Sequence, residues 1–394
     1  MAAAATEIRT MMLNVGPHHP STHGVLRVIV ELDGETIVDL TPDVGFLHTG
    51  IEKTAEDKLY THALTLTDRT DYLSNMHNNL GFSMACERIA EIAVPERAVV
   101  ARVILCELQR IASHLVWLAA FGIDLGAVTV FLYGLRDREL ILDIFEACSG
   151  VRMMTSYIRP GGLTHQLPDG FEEMVAGAVD AIEARLPDYD NLLTNNPIFQ
   201  QRTKGIGVIG AQELLSFGVT GPTLRASGFD WDLRKHMPYC GYEDYDFEVP
   251  TAQEGDTYAR FVVRMEEMRQ SIRIVRQGLK RLPDGPVVSD DRKFALPPRE
   301  EVYESMESLI HHFLLVSKGF EPPKGEAYAA VESPRGELGY YLVSDGTGKP
   351  YRMHIRVPSF ANLQALAPAV RGHLLSDLVA VMASFDLVMG DVDR

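Results

Sequence analysis

Three histidines lie within a short loop near the N-terminus and could carry proton-transfer or metal chemistry. His18, His19 and His23 stand in the segment GPHHPSTHG, where prolines and glycines restrict the chain. Clustered imidazoles suggest a metal site, but zinc needs three or four ligands, and no HExxH motif or carboxylate triad completes the set nearby. The prolines and glycines favour the alternative, a rigid loop that presents one side chain able to titrate near neutral pH.

A single carboxylate, Asp124, interrupts the apolar run from Leu115 to Leu135. The length and low polarity of this run only just reach those of a membrane-spanning helix. Because an ionised group is costly inside a bilayer, the alternative is favoured: a central helix pair of a large core, broken near Gly122 and Gly126. In either setting, a carboxylate among apolar residues is expected to be paired or functional.

Thiol and nucleotide chemistry have little support. The cysteines at 86, 106, 148 and 240 form no CxxC pair, so the thiolate spacing of an iron–sulfur cluster or a structural zinc site is missing. We expect buried, inert thiols and, with so few cysteines, a reducing compartment. The segment GIGVIG (205–210) matches the GxGxxG pattern, but no clear strand precedes it and no acidic residue follows at the required distance.

The overall charge opposes a nucleic-acid partner. The chain has 394 residues with 37 Lys+Arg and 54 Asp+Glu, a formal net charge of −17, whereas affinity for nucleic acid comes mainly from cations that neutralise phosphates. A hydrophobic content of 46% is that of a packed protein. The N-terminal MAAAATEIRT has no apolar core of signal-peptide length.

Strand patterns lie near both ends of the chain. The apolar segments 25–32 and 36–40 flank Asp33-Gly34, a dipeptide suited to a two-residue hairpin turn. Near the C-terminus, residues 351–357 alternate strictly between apolar and polar side chains after the turn at 344–348, which predicts a second hairpin.

Helical periodicity dominates the middle. A helix is expected to begin after Pro95, because apolar residues from Val100 to Leu118 recur every three or four positions. On another face of this helix lie Glu107, Arg110 and His114, for which a solvated or salt-bridged surface is favoured over a functional site. Further helices are expected at 136–149, 257–281 and 300–317.

The predicted fold is therefore α+β, with a mostly helical core bundle and small antiparallel sheets near the N- and C-termini. We expect one continuous domain in three segments. Residues 1–50 form a β-rich segment that carries the histidine loop, residues 51–285 form the helical core, and residues 286–394 form a C-terminal α+β segment.

Ten blocks, in order along the chain, resemble one protein family. The blocks are GPHHPSTHGVLR (16–27), FLHTGIEK (46–53), DRTDYL (68–73), LCELQRIASHLVWL (105–118), IDLGA (123–127), RELILDIFE (138–146), YIRPGG (157–162), LRASG (224–228), RGELGYYLVSDG (335–346) and MGDVDR (389–394). Together they resemble the D subunit of the proton-pumping NADH–quinone oxidoreductase, respiratory complex I. The resemblance covers essentially the whole chain from about residue 11.

That family is similar in turn to the large subunit of nickel–iron hydrogenases, which implies a hydrogenase-like fold. The hydrogenase motifs RxCGxC and DPCxxC fall on residues 69–74 and 386–391. The four cysteine positions hold Asp71, Ser74, Val388 and Asp391. Without thiolates nothing remains to hold nickel, so the resemblance implies a former metal cavity that serves another substrate.

The resemblance implies that this substrate is a quinone, menaquinone or ubiquinone. Two-electron reduction places negative charge on two carbonyl oxygens, which then need hydrogen-bond donors and two protons. Tyr72 and His23 would bind the head group and supply those protons, and Asp124 would hydrogen-bond to His23 and orient it. From the residues alone, Tyr72 could be a core tyrosine, His23 a loop-stabilising ring and Asp124 a helix cap.

The resemblance also implies the partners, which are the complex I subunits B, C, H and I. This chain would bind no cofactor and no metal of its own, because electrons would come from the terminal iron–sulfur cluster of the B subunit, with the quinone head between the two proteins. The quinone tail would lead toward the H subunit in the membrane. The enzyme would be a proton-translocating NADH–quinone oxidoreductase, active only as a multisubunit complex, peripheral on the cytoplasmic side of the inner membrane.

Three alternatives remain open on these grounds. One is a membrane-bound nickel–iron hydrogenase large subunit, which the missing cysteines disfavour. The second is the ferredoxin-driven photosynthetic relative of complex I, since the electron donor binds a different subunit. The third is a structural scaffold that only packs against cluster-bearing partners.

Three positions depart from the family pattern. Met154 stands where many members have a histidine close to the terminal cluster. A thioether cannot titrate, so the cluster potential is expected to depend only weakly on pH through this site, which suits a low-potential quinone such as menaquinone. Thr49 replaces an arginine of some relatives, and Leu387 replaces the usual proline before Val388, for which we have no physical account.

Overall fold

The computed structural model describes residues 10–394, so most of the N-terminal segment judged to lack a signal peptide lies outside the described residues. The strands are β1 (Met11–Val15), β2 (Arg27–Asp33), β3 (Thr36–Asp43), β4 (Ile158–Arg159), β5 (Gly162–Leu163), β6 (Gly325–Ser333), β7 (Gly336–Ser344) and β8 (Arg352–Arg356). The first helices are α1 (Ile51–Glu56), α2 (Tyr60–Thr67), α3 (Asn75–Ala90), α4 (Glu96–Asp124), α5 (Val128–Ser149) and α6 (Phe171–Tyr189). They are followed by α7 (Pro197–Thr203), α8 (Ala211–Ser216), α9 (Pro222–Arg225), α10 (Leu233–His236), α11 (Thr257–Arg281), α12 (Arg299–Glu304), α13 (Met306–Lys318), α14 (Pro358–Gln364), α15 (Leu366–Val370), α16 (Leu375–Ser384) and α17 (Met389–Asp393).

The N-terminal sheet contains the predicted hairpin. Strands β1, β2 and β3 are antiparallel neighbours, and the β2–β3 turn pairs Asp33 with Thr36 across Gly34, whose φ of 62° suits glycine. Val28 and Val30 of β2 are fully buried and pack with residues of α15 and α16. The sheet therefore places the histidine loop, between β1 and β2, beside the C-terminal helices.

The centre of the molecule is built on α4, with α5 and α11 packed against it. The predicted apolar stripe is buried along the length of α4. Gly134 lets α5 approach closely, because a Cβ there would lie 2.8 Å from the carbonyl oxygen of Leu115. Helix α4 runs unbroken through Gly122, and the chain turns only around Gly126, where φ is 88°. The predicted helix pair, broken near Gly122 and Gly126, is therefore confirmed, with the break at residues 125–127.

Helix α4 is the one helix among the described residues that is long and apolar enough to cross a membrane. However, 89% of its most apolar stretch is buried inside the protein. The interpretation as a core helix is therefore confirmed for the part of the apolar run that lies in α4, whereas Val128 and Leu132, farther along the run in α5, are exposed.

The polar face of α4, formed by Glu107, Arg110 and His114, is completely buried. The expectation that water covers this face is therefore wrong, and the alternative expectation of salt bridges is confirmed. Glu107 accepts hydrogen bonds from Arg234, Tyr242 and Ser271, and His114 Nε2 lies 2.8 Å from a carboxylate oxygen of Glu267. Burial raises the pKa of Glu107, but the neighbouring arginines outweigh it and leave that pKa well below its usual range.

Two predicted helices differ in extent. The expected helix over 136–149 begins earlier, at Val128, and the expected helix over 300–317 is divided at Ser305 into α12 and α13. The Ser305 side chain accepts a hydrogen bond from the backbone N–H of Ser308 and so starts α13. Helix α11 has the predicted bounds, 257–281.

The C-terminal sheet is an antiparallel meander of β6, β7 and β8. Met353 and Ile355 of β8 are buried whereas Arg352 and His354 are exposed, which confirms the predicted alternation. The sheet packs on α3, because Gly81 leaves room for the ring of Tyr340. The α+β fold class, helical in the centre with small antiparallel sheets toward both ends, is thereby confirmed. The division at residues 50 and 285 stays a prediction.

Candidate functional site

Two segments from opposite ends of the chain meet at the site. They are residues 69–74, which join α2 to α3, and residues 386–391, which lead into α17. Contact is close: a Cβ added at Gly390 would lie 2.8 Å from the carbonyl oxygen of Thr70 and 3.5 Å from Cδ1 of Tyr72. The two segments that align with the hydrogenase cysteine motifs therefore form one structural unit.

Arg335 ties these segments together from the turn between β6 and β7. Its Nη1 donates to Asp71 Oδ2 over 2.9 Å and to Ser113 Oγ over 3.0 Å. Its Nη2 donates to Asp386 Oδ1 over 3.1 Å. Burial disfavours the guanidinium charge, but Asp386 and Asp71 outweigh burial and raise the pKa of Arg335. The arginine is therefore charged, and it neutralises carboxylates from both segments.

Tyr72 lies half-buried next to this ion pair. Burial raises the pKa of its phenol, and the negative charge of Asp71 raises it further while Arg335 opposes the rise. The phenol therefore keeps its proton at neutral pH. Within the described residues, hydrogen bonding does not contribute to this shift, which leaves the hydroxyl free to donate to a ligand.

His23 ends the short 3₁₀ turn Pro20–Thr22 in the left-handed conformation, with φ of 55°. Although water reaches the residue, desolvation lowers the pKa of its imidazole; Asp386 raises that pKa and Arg335 lowers it. The ring is therefore largely neutral at neutral pH. Asp386 and Arg335 thus act on the pKa of both His23 and Tyr72, so the two predicted site residues lie within the electrostatic range of one ion pair.

Asp124 reaches the histidine loop from the end of α4, but it does so through a different residue. Its Oδ1 accepts a hydrogen bond from Ser21 Oγ at 3.5 Å. Burial raises the pKa of Asp124, while Ser21 and the charge of His19 lower it. No hydrogen bond joins Asp124 to His23 among the described residues, so the implied pairing is not formed in this structure: Ser21 and His19 are the neighbours of Asp124, and His23 has Asp386 and Arg335.

The donor set does not fit nickel or another bound metal. Over residues 10–394, no group of three His, Cys, Asp or Glu side chains is arranged to hold an ion. Val388 offers no donor atom, and the Asp71 and Asp386 carboxylates are already paired with a guanidinium. The cysteines lie elsewhere: those at 86, 106 and 148 are buried, Cys240 is half-buried, and burial raises the pKa of each thiol.

Sequence reasoning did not identify two residues of this site, Arg335 and Asp386. Arg335 begins the block 335–346 and Asp386 begins the segment 386–391, but the sequence of these segments alone does not indicate a role for either residue. The available signal was the placement of an arginine at a tight turn, Arg335-Gly336, before a strongly apolar strand. Only the pairing of that arginine with distant carboxylates shows what it does.

Known proteins are similar to this chain along its whole length. Residues 124–394 match the family model described as the 49 kDa subunit of respiratory-chain NADH dehydrogenase. The chain is 60% identical to the second D subunit of the NADH-quinone oxidoreductase of Roseiflexus sp. (strain RS-1), over 100% of this chain and 95% of that protein. It is 56% identical to the second D subunit of Chloroflexus aurantiacus, over 100% and 96% of the two chains. It is 54% identical to the D subunit of Geotalea uraniireducens, over 99% and 100%.

Proposed function

The chain belongs to the family of the 49 kDa subunit of respiratory-chain NADH dehydrogenase, and from this premise we propose that it forms the quinone-reduction site of the NADH–quinone oxidoreductase together with the B subunit. The observation that carries the proposal is that Tyr72 packs against Gly390, in the C-terminal segment whose Asp386 pairs with Arg335. This ion pair acts on the pKa of both the Tyr72 phenol and the His23 imidazole. The proposal is supported by the absence of a metal-binding donor set among the described residues, which leaves proton transfer as the chemistry of the two side chains.

The chemistry requires two electrons and two protons for each quinone. In the proposed complex, the iron–sulfur cluster of the B subunit supplies the electrons, so this chain binds the head group and supplies protons. The protonated Tyr72 donates to one quinone oxygen as negative charge develops there. His23 is largely neutral at neutral pH because its pKa is lowered, so it first takes up a proton from the solvent and then passes it to the other quinone oxygen. Addition of both protons and both electrons gives the quinol.

The ion pair between Arg335 and Asp386 shifts the pKa values of both proton-carrying side chains at the site. Its guanidinium lowers the pKa of both Tyr72 and His23, whereas Asp386 raises both. Asp386 Oδ2 has no hydrogen-bond partner among the described residues, so it can accept a hydrogen bond from a ligand or a bound water. The two opposed charges therefore tune the proton affinities of the groups that face the quinone.

An exposed apolar surface beside Asp124 suits the membrane side of the complex. Ile123, Val128 and Leu132 are 42%, 54% and 61% exposed, and the last two lie one turn apart on α5. Exposed apolar surface of this kind is typical of an interaction site. We propose that this surface faces the H subunit and the quinone tail, and that subunits C and I are further partners of the chain. The chain would then lie on the cytoplasmic side of the inner membrane, as a peripheral subunit of a proton-translocating enzyme.

Replacement of Tyr72 by Phe in the assembled enzyme tests the proposal. The phenol proton is lost while the ring is kept, so NADH–quinone reductase activity should fall by about 100-fold. Reduction of a soluble artificial acceptor upstream of the quinone should be unchanged. Tyr341→Phe, at a half-buried tyrosine of β7 that bonds to Glu326, is the matched control. Quinone reductase activity near that of the unsubstituted enzyme in Tyr72→Phe would rule out the proposed role.

A further inference from the structure

Three buried carboxylates lie around the Arg335 guanidinium next to Tyr72. Asp71, Asp386 and Asp391 are each less than a tenth exposed, and Arg335 is completely buried. If all three carboxylates were ionised, their charge would exceed by one that of Arg335 and of Arg264, a second buried arginine close to Asp386. Uncompensated buried charge is costly, and a carboxyl in that position binds a proton instead.

The contacts identify which carboxylate is neutral. Arg335 forms ion pairs with Asp71 and Asp386, whereas Asp391 pairs with no cation in the part of the chain that the structure describes. Asp391 Oδ2 accepts one hydrogen bond, from the backbone N–H of Ser359 at 2.9 Å. Asp391 Oδ1 has no partner among the described residues, although the residue is only 1% exposed. A carboxylate would leave that oxygen charged and unsolvated, while a carboxylic acid would not.

Building on the proposed quinone function, we infer that Asp391 is a neutral carboxylic acid in the resting protein and stores the proton that restores Tyr72 after each quinone is reduced. Asp391 stands at one of the positions that hold cysteine in the hydrogenase motif. The residue at this position would thus carry a proton, whereas the cysteine of the hydrogenase motif binds a metal.

The surroundings of Asp391 support this assignment. Asp71 faces it from the segment before α3, Arg335 from the β6–β7 turn and the Tyr340 phenol from β7. Burial and then the charge of Asp71 raise the pKa of Asp391 to about 7, against the opposing effects of Ser359 and Arg335. An acid with a pKa near working pH can both release and regain its proton.

The route to Tyr72 runs through Asp71, which precedes Tyr72 in the chain. The segment that holds Asp391 lies against Tyr72, because a Cβ at the neighbouring Gly390 would be 3.5 Å from Cδ1 of the tyrosine ring, and the charge of Asp71 acts on both Asp391 and Tyr72. Once Tyr72 has given its proton to the quinone, the O–H bond of Asp391 breaks and its proton passes to Asp71. The proton then moves from Asp71 to the Tyr72 phenolate, which is the stronger base because burial and the charge of Asp71 raise the pKa of its conjugate phenol. No electron moves in this step, and water restores the proton of Asp391.

The first test is spectroscopic and does not depend on turnover. In the assembled enzyme, the infrared C=O stretching band of a protonated carboxylic acid should be present below neutral pH, should disappear as the pH rises through about 7, and should shift in D₂O. Asp391→Asn should lack this band. Asp393→Asn, on the same helix, is the matched control and should keep the band, because Asp393 bonds to the backbone N–H groups of Gly45 and Leu47 and its substitution leaves Asp391 in place.

The second test is kinetic. In Asp391→Asn the first quinone should be reduced at the rate of the unsubstituted enzyme, because Tyr72 starts protonated, whereas later turnovers should slow at least about tenfold. Asp391→Glu should restore part of the steady-state rate. In contrast, loss of the phenol in Tyr72→Phe affects the first turnover itself, so failure of the proposed function and failure of this inference are distinguishable.

Two results would overturn the inference. One is an acid band that is missing from the unsubstituted enzyme at all pH values, which can be measured even if Asp391→Asn does not assemble. The other is an Asp391→Asn enzyme that keeps the band or sustains repeated turnovers at the unsubstituted rate.

Discussion

The guanidinium of Arg335 donates to the carboxylate of Asp71 over 2.9 Å, and both side chains are withdrawn from solvent. A second bond from the same guanidinium, to Asp386, brings in the C-terminal segment. One side chain on a β-turn thus holds the two halves of the candidate site together and places charge beside Tyr72 and His23.

Removal of the Arg335 charge should therefore affect both stability and activity. Arg335→Met leaves Asp71 and Asp386 buried without a partner, so we expect a loss of about 3–5 kcal/mol in the free energy of unfolding and a large loss of quinone reductase activity. Thermal unfolding of the assembled enzyme measures the first effect. Arg352→Met is the control, because Arg352 pairs with Glu52 and Glu56 at the surface, where a pair contributes about 0–1 kcal/mol. Equal effects in the two variants would contradict the role of Arg335.

Asp124 acts on the histidine loop through Ser21, so substitutions at the two positions should have effects in the same direction. Asp124→Asn should retain assembly but lower quinone reductase activity, by about tenfold. Ser21→Ala, which removes the hydroxyl that donates to Asp124, should produce a smaller loss. Asp39→Asn, at a surface pair with Arg371, is the control. Unimpaired activity in Asp124→Asn would count against any functional role of this carboxylate, whether through Ser21 or directly on His23.

The raised pKa of Asp391 predicts how stability changes with pH. Its value is about 7 in the folded protein against a reference value of 3.8, so between these values the folded state holds a proton that the unfolded state has released. The free energy of unfolding should then fall as pH rises through this window, by up to about 1.4 kcal/mol per pH unit, and flatten above about pH 7.

Asp391→Asn separates this contribution from that of other groups. The amide cannot titrate, so the difference in thermal midpoint between the variant and the unsubstituted enzyme should shift in favour of the variant as pH rises from about 5 to about 8. Glu107 contributes in the opposite sense, because its pKa is lowered, but its contribution is the same in both proteins. A difference that does not change with pH would contradict the assignment.

Met154 offers a test of the predicted pH-insensitive cluster potential. The residue is half-buried and has φ of 58°, a left-handed conformation that histidine tolerates better than most residues. Met154→His should add a pH-dependent component to the potential of the partner's cluster, with a slope that approaches about 60 mV per pH unit. Potentiometric titration at several pH values measures it, and Met153→His, at the exposed neighbour, is the control. A steep slope already present with Met154, and unchanged by its substitution, would refute the prediction.

Local sequence patterns predicted the helices and strands, but they did not predict which groups pack around each of them. The Asp33-Gly34 hairpin, the helix over 257–281 and the burial of the apolar run in α4 followed from periodicity and turn chemistry, which depend on neighbours a few residues away. The same patterns could not show that the Glu107 face is buried, because charged residues spaced along a helix look alike whether water or other arginines surround them.

The sequence by itself determined the helical core with its terminal sheets, the family, and the candidate residues Tyr72, His23 and Asp124. The tertiary structure alone decided that Arg335 and Asp386 join them, that Asp124 bonds to Ser21, and that Asp391 pairs with no cation among the described residues. The reason is physical: an ion pair between Asp71 and Arg335 spans 264 positions of chain, and the charge state of a carboxyl depends on which groups the fold brings within a few ångströms of it.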